Sequence, residues 1–276
     1  MLTRRPGNGH ATDDSLRSWT ANADAWDRLM GDGNTFHNEL VVRTQLDLIG
    51  DGPYDLAVEL ACGNGNFLSH LSPRARCVIA VDGSAEMLAR ARRRAAGLAN
   101  CTFVEADLTE ATARDLADRA ADLVVCTMAL MDISSLDVLA AAVRDLLRPG
   151  GIFVATVAHP AFFGPSPRTE KQVTFRNVQG RTTAVPALTV HSYKTDEVIW
   201  GRADPDLPQP QPYYARSLES LLAPFFSSGF VVTGLEEPVF SHSETRRRPA
   251  RRMDEWRIYT DIPPVLGLRL SLGNNR

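Results

Sequence analysis

Small and acidic residues follow three consecutive apolar runs in the first half of the chain. The first run, 54–60, is followed by Ala61-Cys62-Gly63-Asn64-Gly65, where small residues let backbone amides and a helix N-terminus approach a ligand closely. The second run, 76–82, ends in Asp82, near the ~20-residue separation at which a carboxylate meets the ribose hydroxyls of an adenosine held by the first turn. The third, 101–105, leads into Asp107, whose carboxylate can accept a hydrogen bond from an adenine amine. The pattern predicts a site for an adenosine-like ligand.

Each of these residues also has a purely structural explanation. Asp82 can cap the helix that Ser84 begins, and Asp107 can turn the chain. The two carboxylates and the glycine turn indicate a binding site only when they occur together, in register. A dinucleotide-binding fingerprint would be G-x-G-x-x-G. Leu68 occupies the position of its third glycine, which disfavours binding of a diphosphate.

The elements that would position these residues alternate between short apolar strands and amphipathic helices, which is typical of a parallel sheet covered on both faces. One helix begins at Ser84 and ends near Gly97; a second begins at Ser134 or Ser135; a third covers 216–226 and ends at Gly229. The predicted strands are 54–60, 76–82, 101–105, 121–126, 151–158, 230–235 and 265–272.

The fold class is therefore α/β, a Rossmann-like, seven-stranded, mostly parallel sheet with helices on both faces. Residues 160–215 interrupt the alternation with many prolines and no long helix, so we expect an inserted cap or small sheet over the site. The expected organisation is an N-terminal arm with lid helices, 1–50; a binding core, 51–159; the cap, 160–215; and a C-terminal completion of the sheet, 216–276.

Composition excludes several classes of function. The formal charge is −3, from 30 basic and 33 acidic residues, so a nucleic acid or an anionic membrane would need a local basic patch. Cys62, Cys77, Cys101 and Cys126 lie far apart without a metal-ligand spacing, so we expect no metal site. The N-terminus lacks a signal-peptide pattern and no run is long enough to span a membrane, which predicts a cytoplasmic protein.

The motifs together resemble the class I S-adenosylmethionine-dependent methyltransferases over most of the chain. "ELACGNG" (59–65) resembles their glycine motif, Asp82 their ribose acid, "EADL" (105–108) their adenine motif, and "LRPGG" (147–151) the entry to strand five. Three further stretches resemble the lid helices and pocket lining of a bacterial small-molecule subgroup: 19–40, "TMALMDI" after strand four and "HPAFF" after strand five. Ala61 and Trp26 depart from the glycine and tyrosine that are usual there.

The resemblance implies S-adenosylmethionine as the cofactor and S-adenosylhomocysteine as the product. Glu59 and the backbone of the glycine turn would face the methionine moiety, Thr127 and Met128 would flank the ligand, and Trp19 would close over it. The implied cofactor-binding residues are Trp19, Glu59, Ala61, Cys62, Gly63, Gly65, Asp82, Gly83, Met87, Ala106, Asp107, Leu108, Thr127 and Met128.

A protein base is needed only if the nucleophile starts protonated. His159 is the best candidate for the catalytic base, because it leaves strand five at the crevice with a near-neutral intrinsic pKa. Its structural alternative is a hydrogen bond to the turn at Pro160. His37, His191 and Tyr193 are weaker candidates.

The expected acceptor is a small metabolite, such as a natural-product intermediate, methylated at oxygen or nitrogen by a monomer or homodimer. No Asn-Pro-Pro-Tyr or Asp-Pro-Pro-Tyr motif follows strand four, which disfavours methylation of an exocyclic amine of a nucleic-acid base. Three alternatives remain open: a nicotinamide-dependent oxidoreductase, a protein that binds S-adenosylmethionine without transferring the methyl group, and a nucleic-acid methyltransferase guided by the arginines at 246–252.

Overall fold

The computed structural model describes residues 11–110, 120–163, 168–178, 180–241 and 256–273. Six α-helices occur within them: α1 (Ala11–Met30), α2 (Arg43–Ile49), α3 (Leu68–Leu71), α4 (Ala85–Arg94), α5 (Leu136–Leu146) and α6 (Leu218–Ser227). A π-helical turn, His37–Val42, runs directly into α2. The arginines at 246–252, singled out as a possible nucleic-acid patch, lie outside the described residues.

Seven strands form the central sheet, in the order β10-β11-β5-β4-β1-β2-β3. The first five strands in sequence pair in parallel, and β11 runs antiparallel to both of its neighbours. The seven-stranded, mostly parallel sheet is therefore confirmed. Its strands are β1 (Tyr54–Leu60), β2 (Ala75–Asp82), β3 (Cys101–Glu105), β4 (Ala121–Thr127), β5 (Leu147–Ala158), β10 (Phe230–Glu236) and β11 (Val265–Leu272).

Strand five begins earlier than the sequence pattern indicates. Leu147 is already extended and pairs with Ala121, whereas the apolar run predicts a start at 151. The register then shifts between Ala121 and Leu123, which pairs with Ile152. Gly150, at φ +82°, allows the intervening residues to bulge, so the Pro-Gly turn lies inside the strand.

Side chains alternate between the two faces of the sheet along each strand, and helices pack on both faces. Val58 and Leu60 of β1 point into the layer made with α5 and α6, where Leu139 and Phe225 are fully buried. Ala57 points into the opposite layer, which α2, α3 and α4 complete. Helices on both faces explain why the strands read as nearly continuous apolar runs.

Serine side chains cap the starts of α4, as predicted, and of α6. The Ser84 hydroxyl accepts a hydrogen bond from Met87 N at 3.2 Å, and Ser217 does the same for Ser220 N at 3.2 Å. Ser135 precedes α5 without a side-chain cap bond. Gly229, at φ +88°, follows the end of α6.

The inserted segment folds as two separate antiparallel hairpins, and its expected place as a cap over the site stays a prediction. One joins β6 (Thr169–Val178) to β7 (Arg181–Val190), and the other joins β8 (Glu197–Gly201) to β9 (Gln211–Ala215). Tyr214 N on β9 donates to Met131 O at 2.8 Å, which fixes the second hairpin to the loop after β4. Among the described helices, none is long and apolar enough to cross a lipid bilayer.

Candidate active site

The turn between β1 and α3 is held in a conformation that glycine favours. Gly63 and Gly65 have φ of +55° and +79°, and Ala61 has φ of +53°. A Cβ atom at Gly65 would lie 2.9 Å from Ala91 Cα, so this glycine lets α4 pack against the turn. A Cβ atom at Gly63 would meet nothing within 4 Å, so the backbone there faces open space.

These two glycines give a matched pair of variants. We expect Gly65→Ala to lower the free energy of unfolding by about 1–2 kcal/mol for the left-handed backbone and by about 1–3 kcal/mol more for overpacking against Ala91. Gly63→Ala should lower the free energy of unfolding only by the contribution of the left-handed backbone, and its methyl group should narrow the open space beside the turn. Chemical denaturation of both variants measures the difference, and equal losses would contradict this role for Gly65.

Asp82 links the end of β2 to this turn. Its Oδ2 accepts a hydrogen bond from Gly63 N at 2.8 Å, and its Oδ1 accepts one from Ser84 N at 2.9 Å. Burial raises the pKa of Asp82, and these two bonds oppose the increase. Asp82 therefore holds the amide of Ser84, which is itself the N-cap residue of α4, and also orients the glycine turn.

Asp107 lies at the corresponding end of β3. Its Oδ1 accepts hydrogen bonds from Thr109 N at 2.8 Å and from Thr109 Oγ1 at 2.6 Å, so it stabilises the local turn. Asp82 and Asp107 both line a single cavity at the carboxyl ends of the strands. The three strand ends thus converge on one space, as the sequence pattern predicts.

The cavity has about 1090 Å³ of free space, its open mouth included. Two residues of the implied set do not line it: Gly65 packs against Ala91, and Ala106 instead donates its backbone amide to Asp82 O at 3.1 Å. The implied residues that do line it are Trp19, Glu59, Ala61, Cys62, Gly63, Asp82, Gly83, Met87, Asp107, Leu108, Thr127 and Met128.

Glu59 is a buried acid in the floor of this cavity. Its side chain is almost fully inaccessible, and its Oε2 has no hydrogen-bond partner. Burial and the neighbouring Asp82 carboxylate raise the pKa of Glu59 to about 8, while a hydrogen bond from Thr127 opposes the increase. An unpaired buried carboxyl group of this kind suits a cationic ligand group.

His159 does not line the cavity. Its Nε2 lies 2.8 Å from Glu237 Oε1, its Nδ1 accepts a hydrogen bond from Ala161 N at 3.2 Å, and its ring stacks on Phe162. Burial lowers the pKa of His159, and the contact with Glu237 opposes the decrease. Both ring nitrogens are therefore used by the fold, as in the structural alternative, and the catalytic role stays a prediction.

We expect His159→Ala to lower the free energy of unfolding by about 1–3 kcal/mol, because Glu237 and the Ala161 amide lose their partner. The affinity for the cofactor product should not change. Chemical denaturation and calorimetry measure the two effects, with the exposed His191→Ala as the control. Loss of methyl transfer with unchanged stability would instead support catalysis by His159.

Several cavity residues were not part of the implied set. Asp132 and Ile133 belong to "TMALMDI", the stretch that the resemblance implies as pocket lining, and lie in the loop after β4. Others come from α1 and the turn after it, in the segment that the resemblance implies as lid helices. The additional lining residues are Ser15, Leu16, Trp26, Met30, His37, Asn64, Asn66, Phe67, Thr109, Ala129, Asp132 and Ile133.

Helix α1 covers one side of the cavity and is attached to α4. Arg94 donates to Asp27 Oδ1 at 2.8 Å and to Gly31 O at 2.6 Å, and Arg90 pairs with Asp24. Asn64 of the glycine turn also donates to Asp27 Oδ1, at 3.0 Å. Within the described residues, no group of histidine, cysteine or acidic side chains is arranged to hold a metal ion.

Part of the chain matches a known protein family. Residues 57–151 match the methyltransferase domain family. The 23S rRNA (uracil(1939)-C(5))-methyltransferase RlmD of Stenotrophomonas maltophilia is 44% identical over 75 residues, which are 26% of this chain and 17% of that enzyme. The match therefore spans about a sixth of that relative's length.

Solved structures match over nearly the whole chain. DhpI in complex with SAH has a TM-score of 0.58 at 20% identity, covering 96% of this chain and 98% of DhpI. An S-adenosylmethionine-dependent methyltransferase from Mesorhizobium loti has a TM-score of 0.56 at 23% identity, covering 83% and 94%. At such identities the likeness shows the fold. The segment 57–151, which matches the methyltransferase domain family, thus lies on a sheet whose fold is shared with DhpI and with the Mesorhizobium loti enzyme.

Proposed function

We propose that this protein transfers the methyl group of S-adenosylmethionine to an oxygen or nitrogen of a small metabolite, such as a natural-product intermediate. The observation that carries the proposal is the convergence of Glu59, Asp82 and Asp107 with the glycine turn on one cavity. The cavity is bordered by α1 and by the loop after β4, which favours a small acceptor over a polymer.

The residues present fit the cofactor. The orphaned Glu59 Oε2 is suited to the ammonium of its methionine moiety, and the open backbone at Gly63 can approach the same moiety. Asp82 would accept hydrogen bonds from the ribose hydroxyls, and Asp107 from the adenine amine, with Leu108 against the base. Bound there, the cofactor supplies a methyl group on a positively charged sulfur.

The protein's own contribution is orientation and exclusion of water, because a sulfonium methyl is already activated. An acceptor held in line at roughly 3 Å from the methyl carbon needs little further catalysis. Trp19 and Trp26 of α1 meet edge to face at 5.2 Å between ring centroids and line the cavity, so they would shield the reacting atoms.

Two alternatives have less support. Leu68, in the third glycine position of the dinucleotide fingerprint, disfavours a nicotinamide cofactor. RNA as the acceptor is suggested by the name of the rRNA-methylating relative, but the short match to that enzyme does not extend its substrate to this chain. The four cysteines are free, in keeping with the cytoplasmic location that we propose.

The proposal is tested in two steps. Calorimetry should show binding of S-adenosylhomocysteine and none of comparable strength for NAD; the reverse would favour the oxidoreductase. Turnover of labelled S-adenosylmethionine with the acceptor, sought by mass spectrometry of the purified protein, should yield S-adenosylhomocysteine. Turnover of that acceptor without this product would support a protein that binds the cofactor and does not transfer its methyl group.

A further inference from the structure

Asp132 is a cavity acid that the cofactor does not require. It lies in the loop after β4, and its side chain lines the cavity beside Ala129 and Ile133. No hydrogen bond or ion pair from the described residues reaches its carboxyl group. Burial raises the pKa of Asp132 to about 8, and no cationic neighbour opposes the increase.

The backbone around Asp132 is fixed from both sides of the loop. Its carbonyl accepts a hydrogen bond from Ser15 Oγ of α1 at 2.8 Å, and its amide donates to Ala129 O at 2.8 Å. Arg216 donates to Ile133 O and Ser134 O, each at 2.8 Å. The loop therefore holds the carboxyl group at the cavity while leaving it without a protein partner, an arrangement that suits a ligand contact.

The charges around the cavity favour a cationic partner. Its acidic lining residues are Glu59, Asp82, Asp107 and Asp132, and no lysine or arginine of the described residues lines it. His37 also lines it, but burial lowers the pKa of this histidine, which favours the neutral ring. The cofactor would engage the first three acids, so Asp132 would face the acceptor.

The groups that face Asp132 are neutral. Cys126 lies on β4, and Tyr213 and Tyr214 lie on β9; burial raises the pKa of each. The guanidinium of Arg216 lies over the Tyr214 ring, 5.2 Å from its centroid. The cavity lining offers no counter-charge to an anionic acceptor, and an ammonium group would give the ionised form of Asp132 a counter-charge that a neutral alcohol lacks.

We propose that the methyl acceptor is a small-molecule amine and that Asp132 binds its ammonium group and accepts its proton. This inference rests on the proposed function. The ammonium passes one proton to the Asp132 carboxylate, which frees the nitrogen lone pair. That lone pair forms the bond to the methyl carbon as the carbon–sulfur bond breaks and its electrons return to sulfur. The products are an N-methylammonium and a thioether, and the proton on Asp132 leaves to solvent.

The test compares matched amines, alcohols and carboxylates on several carbon skeletons, for example phenethylamine, 2-phenylethanol and phenylacetate. Calorimetry at saturating S-adenosylhomocysteine measures binding without turnover. We expect at least one amine to bind wild-type protein at least about tenfold more tightly than its alcohol, as one charge-assisted contact of about 1.5–3 kcal/mol requires. Asp132→Asn should remove this preference, and Asp132→Glu should restore part of it.

The outcomes separate the inference from the proposed function. Failure to bind S-adenosylhomocysteine would overturn the proposed function itself. Normal binding of S-adenosylhomocysteine would overturn only the amine inference if the alcohols or carboxylates bind as well as the amines, if no amine binds, or if the preference survives in Asp132→Asn. The affinity of Asp132→Asn for S-adenosylhomocysteine should equal that of wild type, which also reports that this variant folds.

Discussion

Replacing Asp82 with alanine is expected to weaken the binding of S-adenosylhomocysteine at least about tenfold. A carboxylate that accepts hydrogen bonds from the ribose hydroxyls contributes about 1.5–3 kcal/mol per charge-assisted bond, and about 1.4 kcal/mol corresponds to a factor of ten in affinity. Asp82 also accepts from Gly63 N and Ser84 N, so its removal loosens the turn that the ligand contacts. Calorimetry with the purified variant measures the loss.

The structural role of Asp82 requires a control. Asp82→Asn keeps an oxygen that can accept one of the two backbone bonds, so it should fold more stably than Asp82→Ala and still lose most of the affinity. Glu86→Ala, at the exposed start of the same helix, should leave binding unchanged. Wild-type affinity in Asp82→Ala would remove the central support for the site.

Replacing Glu59 with glutamine is expected to abolish the pH dependence of cofactor binding and to weaken binding at pH 8 at least about tenfold, through loss of one charge-assisted contact. The pKa of Glu59 is raised to about 8, so its carboxyl is mostly neutral below that pH, whereas an ammonium group needs the ionised form. Affinity should therefore increase about tenfold per pH unit from pH 6 to pH 8 and then level off. Calorimetry across this range measures the slope.

The increase of cofactor affinity with pH distinguishes the expected role of Glu59 from the roles of the other acids in the cavity. Binding should release about one proton at pH 7, seen as a difference in heat between buffers of different ionisation enthalpy. Asp132→Asn should keep the slope, because no acceptor is present. A flat profile in wild type, or an unchanged slope in Glu59→Gln, would contradict the pairing of Glu59 with the ammonium group.

Local sequence was sufficient to predict the sheet. The central strands are buried on both faces and therefore read as apolar runs, whereas the edge strands β3 and β10 are partly exposed. The predicted strands 54–60, 101–105 and 265–272 agree with the observed ones. The start of β5 was missed because Gly150 permits a bulge that keeps Leu147 in the ladder. A Pro-Gly turn signal in the sequence cannot show whether strand pairing continues across that turn.

The floor of the cavity was also predictable from local sequence, because the carboxyl ends of parallel strands lie at the same edge of the sheet. His159 illustrates what was not predictable. Its position after β5 is local, but Glu237, which contacts its ring, is 78 residues further along the chain. Side-chain direction at a strand end is decided by such distant partners, and so is the placement of α1 over the sheet.

Helix α1 spans both parts of the cavity. At one end Ser15 contacts the loop that carries Asp132, and at the other Asp27 contacts Asn64 of the glycine turn. Because the single helix α1 borders both the part of the cavity beside Asp132 and the part beside the glycine turn, moving α1 to admit the cofactor or the acceptor would open both parts to solvent. We therefore expect the release of the nucleoside and the entry of its reaction partner to depend on the same movement of α1.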